Sequence, residues 1–375
     1  MVYRRVASRD TQRCHRLSPR TKKGKETSMK YISPIRRPPA KTPVDQVYSQ
    51  IKQDFGLIAD PFVLHSPVPS LLAGIWSVTR ETGIAGHVPW SIKEAVAAAV
   101  SQSNACPYCV DIHAAVASAH ASQSLTDLIK QGRTAEIADP SLRAVVSWAL
   151  ASRTPGSAPL LAPPFSAQEA PEMIGTAVVY HYINRMVQVF LPESLLPIFL
   201  RGGWIGRVVW SQVGQKLAHS RDQARSAGAS LRFLPEADLP AEMSWAAPSP
   251  SISCAFAGWA ALVNQTGRHL LSSQVRQLVT DVLQAWKGEP PTLGRAWINQ
   301  AVAGLTEADQ AQGSLALLAA LAPYQIDEEI IRAFRVDHAA DAQLVGVVAW
   351  ASFAAARRIA TFLQAPTESK EAGQA

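Results

Sequence analysis

One stretch constrains what this chain can fold into more than any other: Glu94 to His113, Glu-Ala-Val-Ala-Ala-Ala-Val-Ser-Gln-Ser-Asn-Ala-Cys-Pro-Tyr-Cys-Val-Asp-Ile-His. It sets two cysteines three apart, a histidine four residues after the second, and a carboxylate twelve residues before the first. A run of small alanines fills the gap. The stretch therefore predicts one helix over about 91–104, a short break, and a second helix entered through Cys106-Pro107-Tyr108-Cys109.

On a helix beginning near Cys106, positions 106, 109 and 113 share one face, and Cys109 and His113 are i, i+4 neighbours. A thiolate is the reactive form of cysteine, and its pKa falls near a helix N-terminus or beside an imidazole. The His113 imidazole could accept the thiol proton, and a carboxylate on its other ring nitrogen would fix the tautomer and raise its basicity. Glu94 is the only acid in the preceding helix. Cys106 is close enough to form a disulfide with whatever arises at Cys109.

Each residue also has a plainer role open to it. A lone Cys-x-x-Cys serves as a metal half-site as well as a redox pair, although no second Cys/His pair at zinc spacing follows. Ser91-Ile-Lys-Glu94, after Pro89-Trp90, fits a capping box, so Glu94 could start its own helix. His113 alone fits a satisfied core histidine. Its weight comes from the constellation.

The order Glu, eleven residues, Cys-x-x-Cys, three residues, His resembles the alkylhydroperoxidase D-like proteins of the carboxymuconolactone decarboxylase superfamily. A second stretch, Glu172-Met-Ile-Gly-Thr-Ala-Val-Val-Tyr-His-Tyr-Ile-Asn-Arg-Met-Val-Gln-Val-Phe190, resembles the helix that closes that family's core. The likeness covers about residues 45–200. It implies an all-α fold in which Cys109 attacks a peroxide, Cys106 resolves the product, and Glu94 with His113 relays protons. Two thiols supply both electrons, so no bound cofactor is needed and no metal is expected; the resemblance implies an external dithiol, such as a lipoylated protein, as reductant. In the best-known family member a second histidine stands directly before the second cysteine. Here Tyr108 stands in that place, which touches the exact mechanism and leaves the redox pair intact.

The chain is long enough, at 375 residues, for two sizeable cores, and its charged fraction of 17% suits buried helices. Four cysteines with one Cys-x-x-Cys make no disulfide framework, so a reducing, cytoplasmic setting is expected. The run Ala342 to Ala356 is fifteen residues and meets Arg357-Arg358, which reads as a core helix and not a membrane span. The net charge of +7 belongs to residues 1–28, where nine Lys or Arg face only Asp10 and Glu26, so everything from Met29 onward sums to zero. That removes the case for nucleic acid as a partner. The tail, which holds Cys14, reads as disordered. Met29 reads as a natural start, with an organelle transit peptide or a basic arm as the other readings of what precedes it.

Helices are predicted over 44–55, from Pro69 to near Gly83, over 126–131, 140–153 and 167–190, with a proline-rich loop at 155–164. His181, Asn184 and Arg185 are polar positions on the last of these; they line the site or an oligomer contact, or they hydrogen-bond loop carbonyls. Arg201-Gly-Gly-Trp-Ile-Gly-Arg207 lacks phosphate-loop spacing and reads as a connector.

Past it the pattern repeats. Pro69-Ser-Leu-Leu-Ala-Gly-Ile-Trp aligns with Pro250-Ser-Ile-Ser-Cys-Ala-Phe-Ala, which sets Glu94 on Val275, Cys106 on Lys287, Cys109 on Pro290 and His113 on Gly294. Ile174-Gly-Thr-Ala-Val-Val aligns with Val345-Gly-Val-Val-Ala-Trp. The expected layout is a basic extension to residue 43, a catalytic lobe over 44–200, a connector over 201–245, a degenerate lobe over 246–365 and a short tail. The degenerate lobe would cover a face that family members use for self-association, and Cys254 within it reads as a buried small apolar residue.

The expected function is thiol-dependent peroxide reduction with an antioxidant role. Two alternatives stay open: a decarboxylase or lactone-processing enzyme, which needs no cysteine pair, and a non-catalytic redox sensor or assembly module.

Overall fold

The computed structural model describes residues 29–118, 125–193 and 225–364; the basic tail with Cys14, the Arg201–Arg207 stretch and residues 365–375 lie outside them. Among the described residues every regular element is helical, which is the all-α fold expected. Helix α1 (Pro43–Phe55) starts where the Thr42 hydroxyl accepts the Asp45 N–H and Pro43 presets φ, and it stops at Gly56, whose φ is 86°. Short α2 (Asp60–Val63) and α3 (Pro69–Thr79) follow, and a π-helical turn, Arg80–Ile84, ends α3 earlier than the sequence predicts.

Helix α4 (Trp90–Ser103) is the centre of the first lobe. It is packed by α5 (Pro107–Ser118), α7 (Pro140–Leu150) and α9 (Ala170–Phe190), with α6 (Leu125–Lys130) and α8 (Ala158–Leu161) at the periphery. Residues 93–101 of α4 are all buried, because Ala95, Ala97, Ala98 and Ala99 let three neighbours approach almost to the backbone. A buried ion pair sets where α4 begins. Glu172, in the first turn of α9, accepts from Lys93 Nζ at 2.6 Å and from the N–H groups of His87 (2.8 Å) and Val88 (3.2 Å), so the loop before α4 is tied to α9. The predicted helix over 140–153 is α7 plus a 3₁₀ turn, Ala151–Arg153, and the loop at 155–164 contains α8.

The second half holds α10 (Pro250–Leu270), α11 (Ser273–Ala285), α12 (Ala296–Val302), α13 (Glu307–Leu321), α14 (Glu328–Arg335) and α15 (Asp341–Leu363). Pro69 and Pro250 open α3 and α10, as the alignment expects. Matching helices pack on each other, α3 on α10 and α9 on α15, as they would about an approximate two-fold. Tyr182 and Phe353 sit at matching positions on α9 and α15, and their rings meet edge to face with centroids 6.5 Å apart. Trp259 of α10 lies against both, 4.9 Å from Tyr182 and 4.2 Å from Phe353. It also rests on Gly74 of α3, where any Cβ would strike the indole. One continuous core therefore runs through both halves.

Helix α15 continues past Arg357-Arg358 to Leu363. Arg357 donates to Asn264 and Glu242, and Arg358 to the Gln284 and Trp286 carbonyls at the end of α11, so both charges are used inside the fold. By length and composition this helix could cross a membrane, yet 78% of its apolar window is buried in the protein, as befits a core helix. Cys254 is exposed on α10, not buried.

Because Trp259 joins α3, α9 and α15, replacing it removes packing from both lobes at once. Trp259→Ala is expected to lower the unfolding free energy in urea by about 3–5 kcal/mol, with one transition for both lobes. A loss within about 0.5 kcal/mol would contradict this packing.

Candidate active site

Ala105 breaks the chain between α4 and α5 in a left-handed conformation (φ 49°). The Cys106 carbonyl then accepts the N–H of Cys109 (3.1 Å) and of Val110 (3.0 Å), so Cys106 opens α5 and Cys109 lies in its first turn. The two sulfurs are 3.0 Å apart, Cys106 donating, and both side chains are free and buried. Glu94 reaches across from α4 to His113, with Oε2 at 2.6 Å from Nδ1. That contact assigns Nε2 as the ring nitrogen left to exchange protons. Tyr180 of α9 stands edge-on to the imidazole, with centroids 4.5 Å apart. The capping-box reading of Glu94 does not hold. Helix α4 starts at Trp90 after Pro89, with no side-chain cap, so Ser91 is already inside it.

Glu94, Tyr108, Cys109 and His113 open on one cavity of about 430 Å³. Its remaining walls are mostly apolar, with Phe55, Ile58 and Phe62 from the α1–α2 region and Tyr180 and Ile183 from α9. Asp60 is a further carboxylate there, and among the described residues no lysine or arginine lines the space. Cys106 lies behind Cys109 and is not part of the wall.

The carboxymuconolactone decarboxylase family matches residues 69–151, which span α3 to α7 and hold Glu94, Cys106, Cys109 and His113. A protein of Mycobacterium tuberculosis named alkyl hydroperoxide reductase is 36% identical over 345 residues, covering 92% of this chain and 97% of its own. This chain belongs to the carboxymuconolactone decarboxylase family. The family match ends within the first lobe, whereas the mycobacterial relative aligns through both.

The positions that the sequence alignment sets against the site carry none of its groups. Val275 is buried on α11, and Lys287, Pro290 and Gly294 lie in the loop before α12. In the first lobe, burial pushes the Cys109 thiol up, and the hydrogen bond and charge of Cys106 act in the same direction; a hydrogen bond from Asn184 opposes them. This reverses the lowered thiol pKa expected from the helix start. The sulfur is buried, and it shares the cavity with His113 without a hydrogen bond between them. Burial also raises the Tyr108 hydroxyl, with Asp60 and the two thiols adding to it, so Tyr108 faces the cavity as a neutral phenol.

Asn184 and His181 belong to a buried network of side chains, which corrects the reading that they bond loop carbonyls. Asn104 donates to Asn184 Oδ1 at 2.9 Å and meets His181 Nδ1 at 2.9 Å; His181 Nε2 meets Ser152 Oγ at 2.9 Å; Asn184 donates to Ser101 Oγ at 3.0 Å. Asn184 touches Cys109 from behind, while His181 stands further back and lines no part of the cavity. Burial first, then the charges of Arg185 and Arg153, keep His181 neutral. Arg185 does bond carbonyls, those of His181 (2.6 Å) and of Ala320 on α13 (2.7 Å). Sequence reasoning missed Tyr180 and the Phe55–Phe62 wall; the Val47, Ile51, Phe55 stripe marked Phe55 only as apolar.

With Cys106→Ser in place, the alkylation rate of Cys109 is expected to keep rising as pH passes about 8.5, because the folded thiol titrates above its usual range. Asn184→Leu removes the one opposing hydrogen bond and should slow alkylation severalfold at neutral pH. A rate already at its plateau at neutral pH would contradict the buried, protonated resting state.

Proposed function

We propose that this protein reduces organic hydroperoxides with its thiol pair and serves an antioxidant role. The observation that carries the reading is that Cys109, and not Cys106, opens on an apolar cavity that also receives the Glu94–His113 pair. An alkyl group suits such walls, and the name of the mycobacterial relative points the same way.

The steps balance with two thiols alone. The Cys109 thiol gives up its proton within the cavity and its sulfur attacks the terminal peroxide oxygen. The O–O bond breaks, and the alkoxide takes a proton from the His113 side to leave as alcohol. Cys109 is then a sulfenic acid. The sulfur of Cys106, 3.0 Å away before reaction, displaces the hydroxyl, which leaves as water with the Cys106 proton. Glu94 holds Nδ1 so that Nε2 alternates between acid and base. An external dithiol, of which a lipoylated protein is one kind, must then reduce the disulfide, in keeping with a cytoplasmic setting. The decarboxylase reading is disfavoured because a carboxylate substrate would find Glu94 and Asp60 in the cavity and no described lysine or arginine.

Hydroperoxide consumption with dihydrolipoamide as electron source separates the readings. Wild type should turn over, Cys109→Ser and Cys106→Ser should fall to background, and His113→Gln should lose about 10²–10⁴-fold. Turnover that survives Cys109→Ser would overturn the assignment. A disulfide that forms without turnover on any dithiol would favour the sensor.

A further inference from the structure

A second cavity, about 630 Å³, lies between the lobes and shares no lining residue with the one at Cys109. Its first-lobe wall includes Asn104, Arg153 and Arg185, and its second-lobe wall includes Lys287, Glu289 and Tyr324. Lys287 to Pro290 follow α11 and form the second-lobe side of this cleft together with Leu321, Pro323 and Tyr324.

The charges in the cleft do not cancel. Arg185 is 3% exposed, and among the described residues neither it nor Arg153 forms an ion pair with a carboxylate. Arg153 uses Nε and Nη2 on the Gly288 carbonyl (3.1 and 2.8 Å) and Nη1 on that of Ser103 (3.1 Å). Gly288, with φ 95°, is required there, since a Cβ would overlap the Arg153 carbonyl. Arg185 uses Nε and Nη1 on carbonyls, and among the described residues Nη2 has no hydrogen-bond partner where the side chain borders the cleft. Burial and then the Arg153 guanidinium push the Arg185 pKa down to about 9, whereas Arg153 is lowered by burial and supported by the nearby Tyr324 and Glu289. Lys287 adds a third positive charge at the exposed rim, against Glu289 alone. A buried guanidinium is ordinarily matched by a carboxylate, because the uncompensated charge is costly.

We propose that this inter-lobe cleft binds an oxyanion, a carboxylate or phosphate group on a small molecule. Arg185 Nη2 supplies the buried end of the site and Lys287 the rim. Leu150, Leu321 and Pro323 offer an apolar wall for the rest of the ligand. The proposal is independent of what the thiols do.

The test is calorimetric titration of the full chain with inorganic phosphate and, separately, with hexanoate, at constant ionic strength balanced by chloride. Saturable binding of one equivalent of either is expected, the preferred arm telling phosphate from carboxylate. Arg185→Met should weaken it at least about tenfold. Lys287→Glu, at an exposed position that leaves the fold alone, should weaken it as well and keeps the test valid if Arg185→Met does not fold. No saturable heat from either anion, or binding that is unchanged in Lys287→Glu, would overturn the proposal.

Discussion

Between Glu94 and Ser101, helix α4 presents only methyl and isopropyl groups, and that is why three helices can close around it. A larger side chain at Ala97 or Ala98, both fully buried, would hold α5 or α9 away from α4 and open the 2.6 Å contact between Glu94 and His113. The site is thus a product of packing distance. Lys93 and Glu172 reinforce it by fixing the entry of α4 against α9, and the left-handed break at Ala105 turns the chain so that both thiols face inward.

Helix α9 connects this site to the other half of the molecule. Tyr180, Ile183 and Asn184 face the cavity or the thiols, while Tyr182 and Arg185 face the second lobe. The second lobe therefore meets the candidate site through the placement of α9. Trp259 and Phe353 hold Tyr182, and the Ala320 carbonyl holds Arg185. The same arrangement encloses the unmatched cations of the inter-lobe cleft.

Much of this was legible in the sequence, for identifiable reasons. Helical periodicity and Pro69, Pro140 and Pro250 as first-turn residues marked the starts of α3, α7 and α10, and the spacing of Glu94, Cys106, Cys109 and His113 implied one shared site. Two kinds of information were missing. Desolvation depends on what surrounds a sulfur in three dimensions, so the helix start at Cys106 suggested a lowered thiol pKa where burial raises that of Cys109. Side-chain networks join distant segments, as Asn104, Ser152 and His181 do, and no local pattern announces them. Glu94 shows the limit of motif reading. Ser-x-x-Glu fitted a cap, and only the observed start of α4 at Trp90 freed the carboxylate for His113.

The central claim is that one buried pair, Cys106 and Cys109, receives both oxidising equivalents of a peroxide. Peptide mapping by mass spectrometry after a single equivalent of an organic hydroperoxide addresses it most directly. The expected product is one peptide lacking two hydrogens, cross-linked between Cys106 and Cys109, with exposed Cys254 unmodified. Oxidation confined to Cys254, with Cys106 and Cys109 still free thiols, would contradict it.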